Sequence, residues 1–262
     1  MYKLLALDID GTLLDSEGHV SESTLEAIKR VQNKGVLVTI STGRPIQGVY
    51  KYIKMLDLKA PIITYNGAMI IDSEKDKVIY EQKLDRKDAK QIIDLGRVYD
   101  TTMVIWSNNK LYVNRLDDHV IAYQTLSGEA PIVINNYEEV YNQGITKIIW
   151  INEPDKLIQY QDEIKSVANE SVTYCTSKPH YLEFFDHKVS KAKALAFIGR
   201  HCNIKKEEMM AIGDGNNDIE MIEYVGMGVA MGNATPLVKS VANYITSSNN
   251  NDGIFKALEK LI

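Results

Sequence analysis

The amino-acid sequence predicts an α/β protein with a doubly wound parallel sheet and an inserted α+β segment. Short apolar runs alternate with helical patterns at both ends of the chain, which is typical of strand–helix repeats. Several of these runs end in polar residues and glycine, as the carboxyl ends of parallel strands do at ligand sites. In the middle of the chain the rhythm changes to short strands with hairpin spacing.

The composition is that of an ordinary globular protein and excludes several classes. The chain has 262 residues, 45% of them hydrophobic and 25% charged, with a net charge of −5. This acidic balance, without a Lys/Arg run, argues against a nucleic-acid partner. We find neither a signal peptide nor an apolar segment of membrane-spanning length. Cys175 and Cys202 have no metal-ligand or disulfide spacing. We therefore expect a cytoplasmic protein without a membrane partner, either a monomer or a weak homodimer.

The first predicted strand covers residues 4–7 and is uninterrupted by polar side chains, which indicates burial on both faces. It ends at Asp8, followed by Asp10 and by Gly11 for the turn. Two carboxylates this close are costly unless a cation or a proton separates them. Alternatively, both acids are solvated turn residues.

Strand–helix repeats follow. Ser21 or Ser23 can cap a first helix that ends near Gly35, and Ser23 has capping-box spacing to Glu26. A second strand over 36–40 leads to Thr42 and Gly43. Pro45 predicts the start of a helix. Its inward positions are Ile46, Val49, Ile53 and Leu56. A third strand is predicted over 61–64.

The middle block is predicted to be an α+β domain over residues 84–186. Its expected helices are 85–99, 119–127 and 154–167, and its strands 102–106, 111–113, 146–151, 172–176 and 181–185. A hairpin over 69–72 and 78–80 precedes it. Residues 1–83 and 187–262 would form the other domain. There we expect helices 190–201, 218–224, 235–241 and 254–262, with strands 209–212 and 228–230. The Asn-rich stretch 247–252 is predicted to be a loop.

Four polar clusters lie either at predicted strand ends of one sheet or at the start of a predicted helix. In a doubly wound sheet these positions converge on one crevice. They are Asp8 with Asp10, Thr42 with Gly43, Lys191, and Asp214 with Asn217 and Asp218. Carboxylates suit a hard cation of the Mg²⁺ type that also binds a substrate phosphate. The lysine, the hydroxyl and the backbone N–H groups suit phosphate oxygens.

The order of these clusters resembles the haloacid dehalogenase-like (HAD) superfamily of phosphotransferases. The matching motifs are Asp8-Ile9-Asp10-Gly11-Thr12, Thr42, Lys191 and Gly213-Asp214-Gly215-Asn216-Asn217-Asp218. The strings 41–45 and 66–68 and the large insertion look like the Cof-type branch of sugar-phosphate phosphatases. One departure is Ala192, where that branch commonly has glycine. The resemblance implies a Rossmann-like catalytic core (1–83 and 187–262) with residues 84–186 as a cap domain.

The resemblance also implies roles for the matched residues. Asp8 would be the nucleophile, which forms an aspartyl-phosphate, and Asp10 the general acid and base. Mg²⁺ would be bound by Asp8, Asp214 and the backbone carbonyl of Asp10. Asp218 would orient Lys191 or a metal-bound water. The phosphate of a small phosphorylated metabolite would be held by Ile9, Thr42, Gly43, Lys191 and Asn217.

Other interpretations remain open at this stage. Lys191 could be a solvated lysine at a helix start, Thr42 an N-cap, and Asp218 an acid favoured by the helix dipole. Phosphomutases or phosphotransferases could use the same core. A non-enzymatic ligand-binding module is another alternative, although no G-x-G-x-x-G follows the first strand. The polar hairpin connections 107–110 and 178–181 are candidate recognition loops.

Overall fold

The chain divides into two compact units in the computed structural model, which describes residues 2–167 and 170–262. The first unit comprises Met1–Gly43, Val49–Tyr80 and Ser190–Ile262, and the second Arg44–Gly48 and Glu81–Val189. The predicted domain boundaries, after residues 83 and 186, each lie three residues from the observed boundaries. The assignment of residues 44–48 to the second unit was not predicted. The roles of catalytic core and cap stay predictions.

The elements of the described residues are named in chain order. The strands are β1 (Leu4–Leu7), β2 (Leu37–Ile40), β3 (Ile62–Thr64), β4 (Met69–Asp72), β5 (Lys77–Glu81), β6 (Thr102–Ser107), β7 (Lys110–Val113), β8 (Ile132–Val133), β9 (Ile145–Ile151), β10 (Val172–Lys178), β11 (Tyr181–Asp186), β12 (Met209–Gly213), β13 (Met227–Ala230) and β14 (Tyr244–Ile245). The α-helices are α1 (Glu22–Asn33), α2 (Tyr50–Met55), α3 (Arg86–Val98), α4 (Asp118–Ser127), α5 (Tyr137–Gln143), α6 (Pro154–Val167), α7 (Lys191–Cys202), α8 (Ile219–Tyr224), α9 (Pro236–Val241) and α10 (Gly253–Leu261).

The first unit is built on a parallel sheet with the strand order β14-β13-β12-β1-β2. A parallel bridge between Ser41 and Ile63 continues it to β3, which belongs to a second sheet of order β3-β4-β5. The predicted α/β class with a parallel sheet is confirmed. In this topology β1 lies between β2 and β12, so the acids that follow β1 stand at the middle of the sheet edge.

Strand β1 is buried on both faces, as its uninterrupted apolar sequence predicts. On one face Leu4 and Ala6 pack in a cluster with Ala194 and Leu195 of α7. The intervening Leu5 and Leu7 point to the opposite face and are also fully buried. The parallel pairing of β1 with β2 and β12 sets the position at which Asp8 leaves the sheet.

The second unit contains a sheet of order β10-β11-β9-β6-β7-β8, whose described strand pairs are antiparallel except for the parallel pair β7–β8. Helices α3, α5 and α6 contribute to the apolar cluster that covers one face, where Ile148 and Trp150 of β9 lie. Lys147, which directly precedes Ile148 in β9, points to the opposite face. There its Nζ atom lies 2.5 Å from Glu183, and both side chains are almost fully buried.

Two local predictions are resolved or corrected by the structure. The N-cap of α1 is Ser21, whose hydroxyl accepts the Thr24 N–H, so the Ser23 alternative is wrong. The helix predicted from Pro45 is interrupted: Ile46–Gly48 form a 3₁₀ turn that belongs to the second unit, and α2 begins only at Tyr50. The inward pattern still holds, because Ile46, Val49 and Leu56 are buried and Ile53 is half-buried.

The short elements β8, α5 and β14 were not predicted. Strands of two residues carry too little periodicity, and α5 buries only the adjacent residues Val140 and Tyr141, which form no helical stripe. Among the described residues, no helix combines the length and apolar character needed to cross a membrane.

Candidate active site

The turn after β1 presents two acids in different environments. Asp8 is extended and 6% exposed, whereas Asp10 is exposed. The following turn, Ile9–Leu13, is wide: the Leu13 N–H donates to the Asp8 carbonyl at 3.2 Å. Gly11 has φ +83° within it, a conformation that glycine adopts without strain. The Ile9 side chain is fully buried, which leaves only its backbone for contact with a ligand.

Lys191 joins two of the predicted site acids. It is the first residue of α7 and only 1% exposed, so a solvated lysine is excluded. Its Nζ atom lies 2.6 Å from Asp8 Oδ1 and 2.6 Å from Asp218 Oδ1. Burial alone would lower the pKa of Lys191, but the charges of Asp218 and Asp8 outweigh burial and raise its pKa above the ordinary value. Lys191 is therefore a permanent cation beside the proposed nucleophile.

Asp218 organises the loop that follows β12. Its Oδ2 atom accepts the N–H groups of Asp214 and Gly215, both at 2.9 Å, while Oδ1 accepts from Lys191. The side chain is fully buried. With both oxygens engaged, Asp218 holds Lys191 and the loop in place, which agrees with the expectation that it orients Lys191. A role limited to the helix dipole does not account for these contacts.

Asp214 is fixed against the turn that follows β1. Thr12 Oγ1 donates to Asp214 Oδ1 at 2.7 Å. Burial raises the pKa of Asp214 to about 6, although the Thr12 hydrogen bond acts in the opposite direction. The negative charge of Asp10 contributes to the rise, so Asp10 acts electrostatically on the same acid. Thr12 was quoted in the first motif but given no role; its position beside a turn gives no sequence signal for this contact.

The acids fit a hard cation. Carboxylate oxygens of Asp8, Asp214 and Asp218 lie within 4.8 Å of one another. Burial raises the pKa of Asp8 well above its usual value, and Lys191 only partly opposes this. Because both oxygens of Asp218 are engaged, Asp8 and Asp214 are the better placed ligands. The cluster does not include the Asp10 carboxylate. The predicted metal ligand from Asp10 is therefore its backbone carbonyl alone.

Three of the predicted phosphate-binding residues, Thr42, Gly43 and Asn217, lie next to a residue that was not assigned a role, Asn66. The Asn66 N–H donates to the Thr42 carbonyl at 2.9 Å, and Asn217 Nδ2 donates to Asn66 Oδ1 at 2.9 Å. A Cβ atom on Gly43 would lie 2.9 Å from the same Oδ1. Asn66 has φ +58°, which asparagine tolerates better than most residues. The Asn66-Gly67 pair at a strand end was the signal that could have indicated it.

No α-helix begins at Pro45, so the interpretation of Thr42 as an N-cap lacks its helix. Lys191 is placed by its own helix cap, because Ser190 accepts the Lys193 N–H. Gly67, with φ +103°, lies against Ser190: a Cβ atom there would be 2.3 Å from the Ser190 carbonyl oxygen. This close approach brings the end of β3 to the start of α7.

The two candidate recognition loops lie at opposite ends of the sheet in the second unit. Tyr181, the last residue of the loop 178–181, pairs with Ile151. Ile151 also pairs with Thr102 at the start of β6. Ser107, before the other loop, pairs with Ile145 at the far end of β9. Strands of this length separate the loops by about 20 Å. At most one of them can contact a given small ligand.

The comparison with known proteins identifies the class. Residues 5–258 match the family described as haloacid dehalogenase-like hydrolase, so the chain belongs to this family. The resemblance stated from the four motifs is confirmed. The chain is a phosphoric monoester hydrolase.

The relatives match over nearly the whole chain. YcsE of Bacillus subtilis (strain 168), named 5-amino-6-(5-phospho-D-ribitylamino)uracil phosphatase, is 35% identical over 257 residues, which cover 98% of this chain and 94% of YcsE. A haloacid dehalogenase-like hydrolase from Bacteroides thetaiotaomicron has a TM-score of 0.91 at 30% identity, with 100% of both chains covered. The subclass IIB sugar phosphatase BT4131 has a TM-score of 0.87 at 27% identity, with 98% of both chains covered.

Proposed function

We propose that this protein is a Mg²⁺-dependent phosphatase that hydrolyses small phosphate monoesters through an aspartyl-phosphate on Asp8. The observation that supports this most strongly is the placement of Asp8, a nearly buried carboxylate that contacts a permanent cation, Lys191, beside the acid Asp214. Burial makes the Asp8 carboxylate poorly solvated, while Lys191 keeps one of its oxygens oriented.

The first step transfers the phosphoryl group to the enzyme. An oxygen of Asp8 attacks phosphorus, the bond from phosphorus to the ester oxygen breaks, and the departing oxygen takes a proton from Asp10. Asp10 suits this role because it is exposed beside the buried Asp8, which leaves its carboxyl group accessible to the ester oxygen and to water. In the second step Asp10 removes a proton from water, the water oxygen attacks phosphorus, and the acyl-phosphate bond breaks to restore Asp8.

The remaining residues stabilise charge on the phosphoryl oxygens. Lys191 supplies a positive charge held in place by Asp218, and Thr42, Gly43 and Asn217 supply donors around Asn66. The Ile9 backbone is available to the same group. Mg²⁺ bound by Asp8, Asp214 and the Asp10 carbonyl would neutralise negative charge on the phosphate and between the acids.

The substrate belongs, in this proposal, to the small phosphorylated metabolites, with sugar phosphates or similar compounds as the first candidates. YcsE is named for a phosphoribitylamino compound and BT4131 for sugar phosphates, which supports this class without naming one member. We place the reaction in the cytoplasm, where the free thiols of Cys175 and Cys202 fit a reducing compartment.

The test is a panel of small phosphate esters, including hexose phosphates, assayed for free phosphate with and without Mg²⁺ using the wild type and Asp8→Asn. We expect Mg²⁺-dependent phosphate release, and a loss of at least about 10³-fold in kcat for Asp8→Asn with the fold retained. Isomerised sugar phosphate without free phosphate would identify a mutase instead. An unchanged kcat in Asp8→Asn would refute the assigned nucleophile.

A further inference from the structure

An unassigned pair of asparagines lies against the turn that carries Asp10. Asn249 belongs to the Asn-rich stretch before α10, and Asn233 follows β13. Asn249 Nδ2 donates to the Leu14 carbonyl at 2.8 Å, and Asn233 Nδ2 donates to the Gly11 carbonyl at 2.8 Å. The Asn249 N–H donates to Asn233 Oδ1 at 3.0 Å. We call Asn233 and Asn249 the amide relay.

The orientation of both amides follows from their partners. A backbone carbonyl can only accept a hydrogen bond, so the NH₂ groups must face Gly11 and Leu14. A backbone N–H can only donate, so Asn233 must present its oxygen to Asn249. The relay therefore uses a donor at each end and cannot be reproduced by a carboxylate of the same shape.

The loop that carries Asn233 also holds the segment of Asp214. The Met231 N–H donates to the Gly213 carbonyl at 3.0 Å, and the Thr235 N–H donates to the Asp214 carbonyl at 3.3 Å. The loop after β13 therefore forms hydrogen bonds to the Gly11 carbonyl, next to Thr12, and also to the backbone carbonyls of Gly213 and Asp214. It sets the distance between the turn that carries Asp10 and the loop that carries Asp214.

We propose that Asn233 and Asn249 are positioning residues for phosphate-ester hydrolysis, which hold the 9–14 turn in register with the Asp214 loop. This inference rests on the proposed function, because it assumes that Asp10 and Asp214 must be aligned for the chemical step. The Asn-rich stretch then has a role besides connecting β14 to α10, because Asn249 holds the Leu14 end of the catalytic turn.

The expected effect is on kcat more than on folding. Asn233 and Asn250 are exposed and Asn249 is half-buried, and hydrogen bonds in such positions contribute little to stability. A small displacement of reacting groups, in contrast, slows the chemical step strongly. A purely structural role would instead lower the melting temperature and leave the kcat of the folded fraction unchanged.

Two neighbouring residues provide a matched test. Asn249→Asp replaces the donor to Leu14 with an anionic oxygen. Asn250→Asp adds the same charge one residue later but keeps the Oδ1 atom that accepts the Ser16 N–H at 2.9 Å. With p-nitrophenyl phosphate and saturating Mg²⁺, we expect kcat to fall roughly 10- to 100-fold in Asn249→Asp with KM within about threefold. Asn250→Asp should stay within about twofold of the wild type in both constants.

A second comparison covers the case in which Asn249→Asp does not fold. Asn233→Ala removes the donor to Gly11, and Asn251→Ala removes a contact confined to Ser248 of its own loop. We expect a lower kcat in the first variant only. Because the relay is one chain of hydrogen bonds, kcat of the Asn233→Ala/Asn249→Asp double variant should resemble that of the more impaired single variant.

The relay and the proposed function can fail separately. Equal kcat values in Asn249→Asp and Asn250→Asp, or a loss of melting temperature with unchanged kcat, would overturn the relay even when Asp8→Asn is inactive. Turnover by Asp8→Asn would overturn the Asp8 mechanism, and the kcat ratio of the Asn249 and Asn250 variants would still decide the relay.

Discussion

Gly11 and Asp214 are in such close contact that a Cβ atom on Gly11 would lie 2.3 Å from Asp214 Oδ2. In Gly11→Ala the methyl group must therefore displace the Asp214 carboxylate, and φ +83° adds backbone strain of about 1–2 kcal/mol. We expect kcat to fall at least about 10-fold and the Mg²⁺ concentration for half-maximal activity to rise, measured by titration of the phosphatase assay with Mg²⁺.

Gly18→Ala is the matched control for this substitution. Gly18 has the same φ of +83°, but a Cβ atom there would meet nothing within 4 Å. Its melting temperature should fall by a similar strain contribution while kcat and the Mg²⁺ requirement stay near those of the wild type. Equal kinetic losses in the two variants would show that strain in the turn, and not the contact with Asp214, is responsible.

The position of Lys191 between Asp8 and Asp218 predicts a large loss of stability when its charge is removed. Lys191→Met leaves two buried carboxylates without this counter-charge, at a cost of about 3–5 kcal/mol in the free energy of unfolding. Adding Asp218→Asn removes one of the carboxylates and should recover part of the loss. Urea denaturation measures both variants, and neither should be active. A double variant less stable than Lys191→Met would contradict this account.

The pKa of Asp214, raised to about 6 by burial, predicts the pH dependence of the metal-free protein. The native state binds this proton more tightly than the unfolded chain, whose carboxyl has the ordinary pKa of about 4. The stabilising contribution is therefore present below about pH 4 and is lost as the pH rises through 6, by up to about 3 kcal/mol.

Asp214→Asn isolates this contribution from that of other acids. In EDTA at pH 7.5 the variant should be more stable than the wild type in urea denaturation, and its advantage should shrink at pH 5. Saturating Mg²⁺ should stabilise the wild type but not the variant at pH 7.5. An advantage of Asp214→Asn that is independent of pH would contradict the raised pKa.

The buried pair Lys147–Glu183 predicts a different pattern in the second unit. Lys147→Met leaves Glu183 buried without its cation and should lower the free energy of unfolding by about 3–5 kcal/mol. The double variant Lys147→Met/Glu183→Leu should return to within about 1 kcal/mol of the wild type, because well-packed apolar groups replace the pair without an uncompensated charge. Chemical denaturation of the full chain measures the free energy of unfolding of both variants. A double variant that is no more stable than Lys147→Met would contradict this prediction.

The parts of the fold that the sequence predicts well are those in which local pattern and tertiary environment agree. Strand β1 is apolar at every position and is buried on both faces. Helix α6 occupies the predicted range 154–167. The helix expected from Pro45 was predicted wrongly, because residues 46–48 associate with the second unit and interrupt the local helical pattern.

The site shows the same limit at the level of single side chains. The order of the motifs predicts that Lys191 and Asp218 lie near Asp8, but not that Lys191 contacts both acids at 2.6 Å. Asn66 escaped assignment because its contact with Asn217 joins residues 151 positions apart. The amide relay depends on contacts between residues more than 200 positions apart, and no local spacing encodes these.

The parallel pairing of β1 with β12 has a consequence for synthesis on the ribosome. β1 emerges before one of its two neighbours, β12, which follows about 200 residues later. The second unit, apart from residues 44–48, is a continuous stretch that emerges earlier. We expect Glu81–Val189 to collapse first, while Leu4–Leu7 remains an apolar segment without its β12 partner and accessible to chaperones. Catalytic competence therefore requires synthesis to have passed β12, which keeps a chain without this strand from acting on phosphate esters.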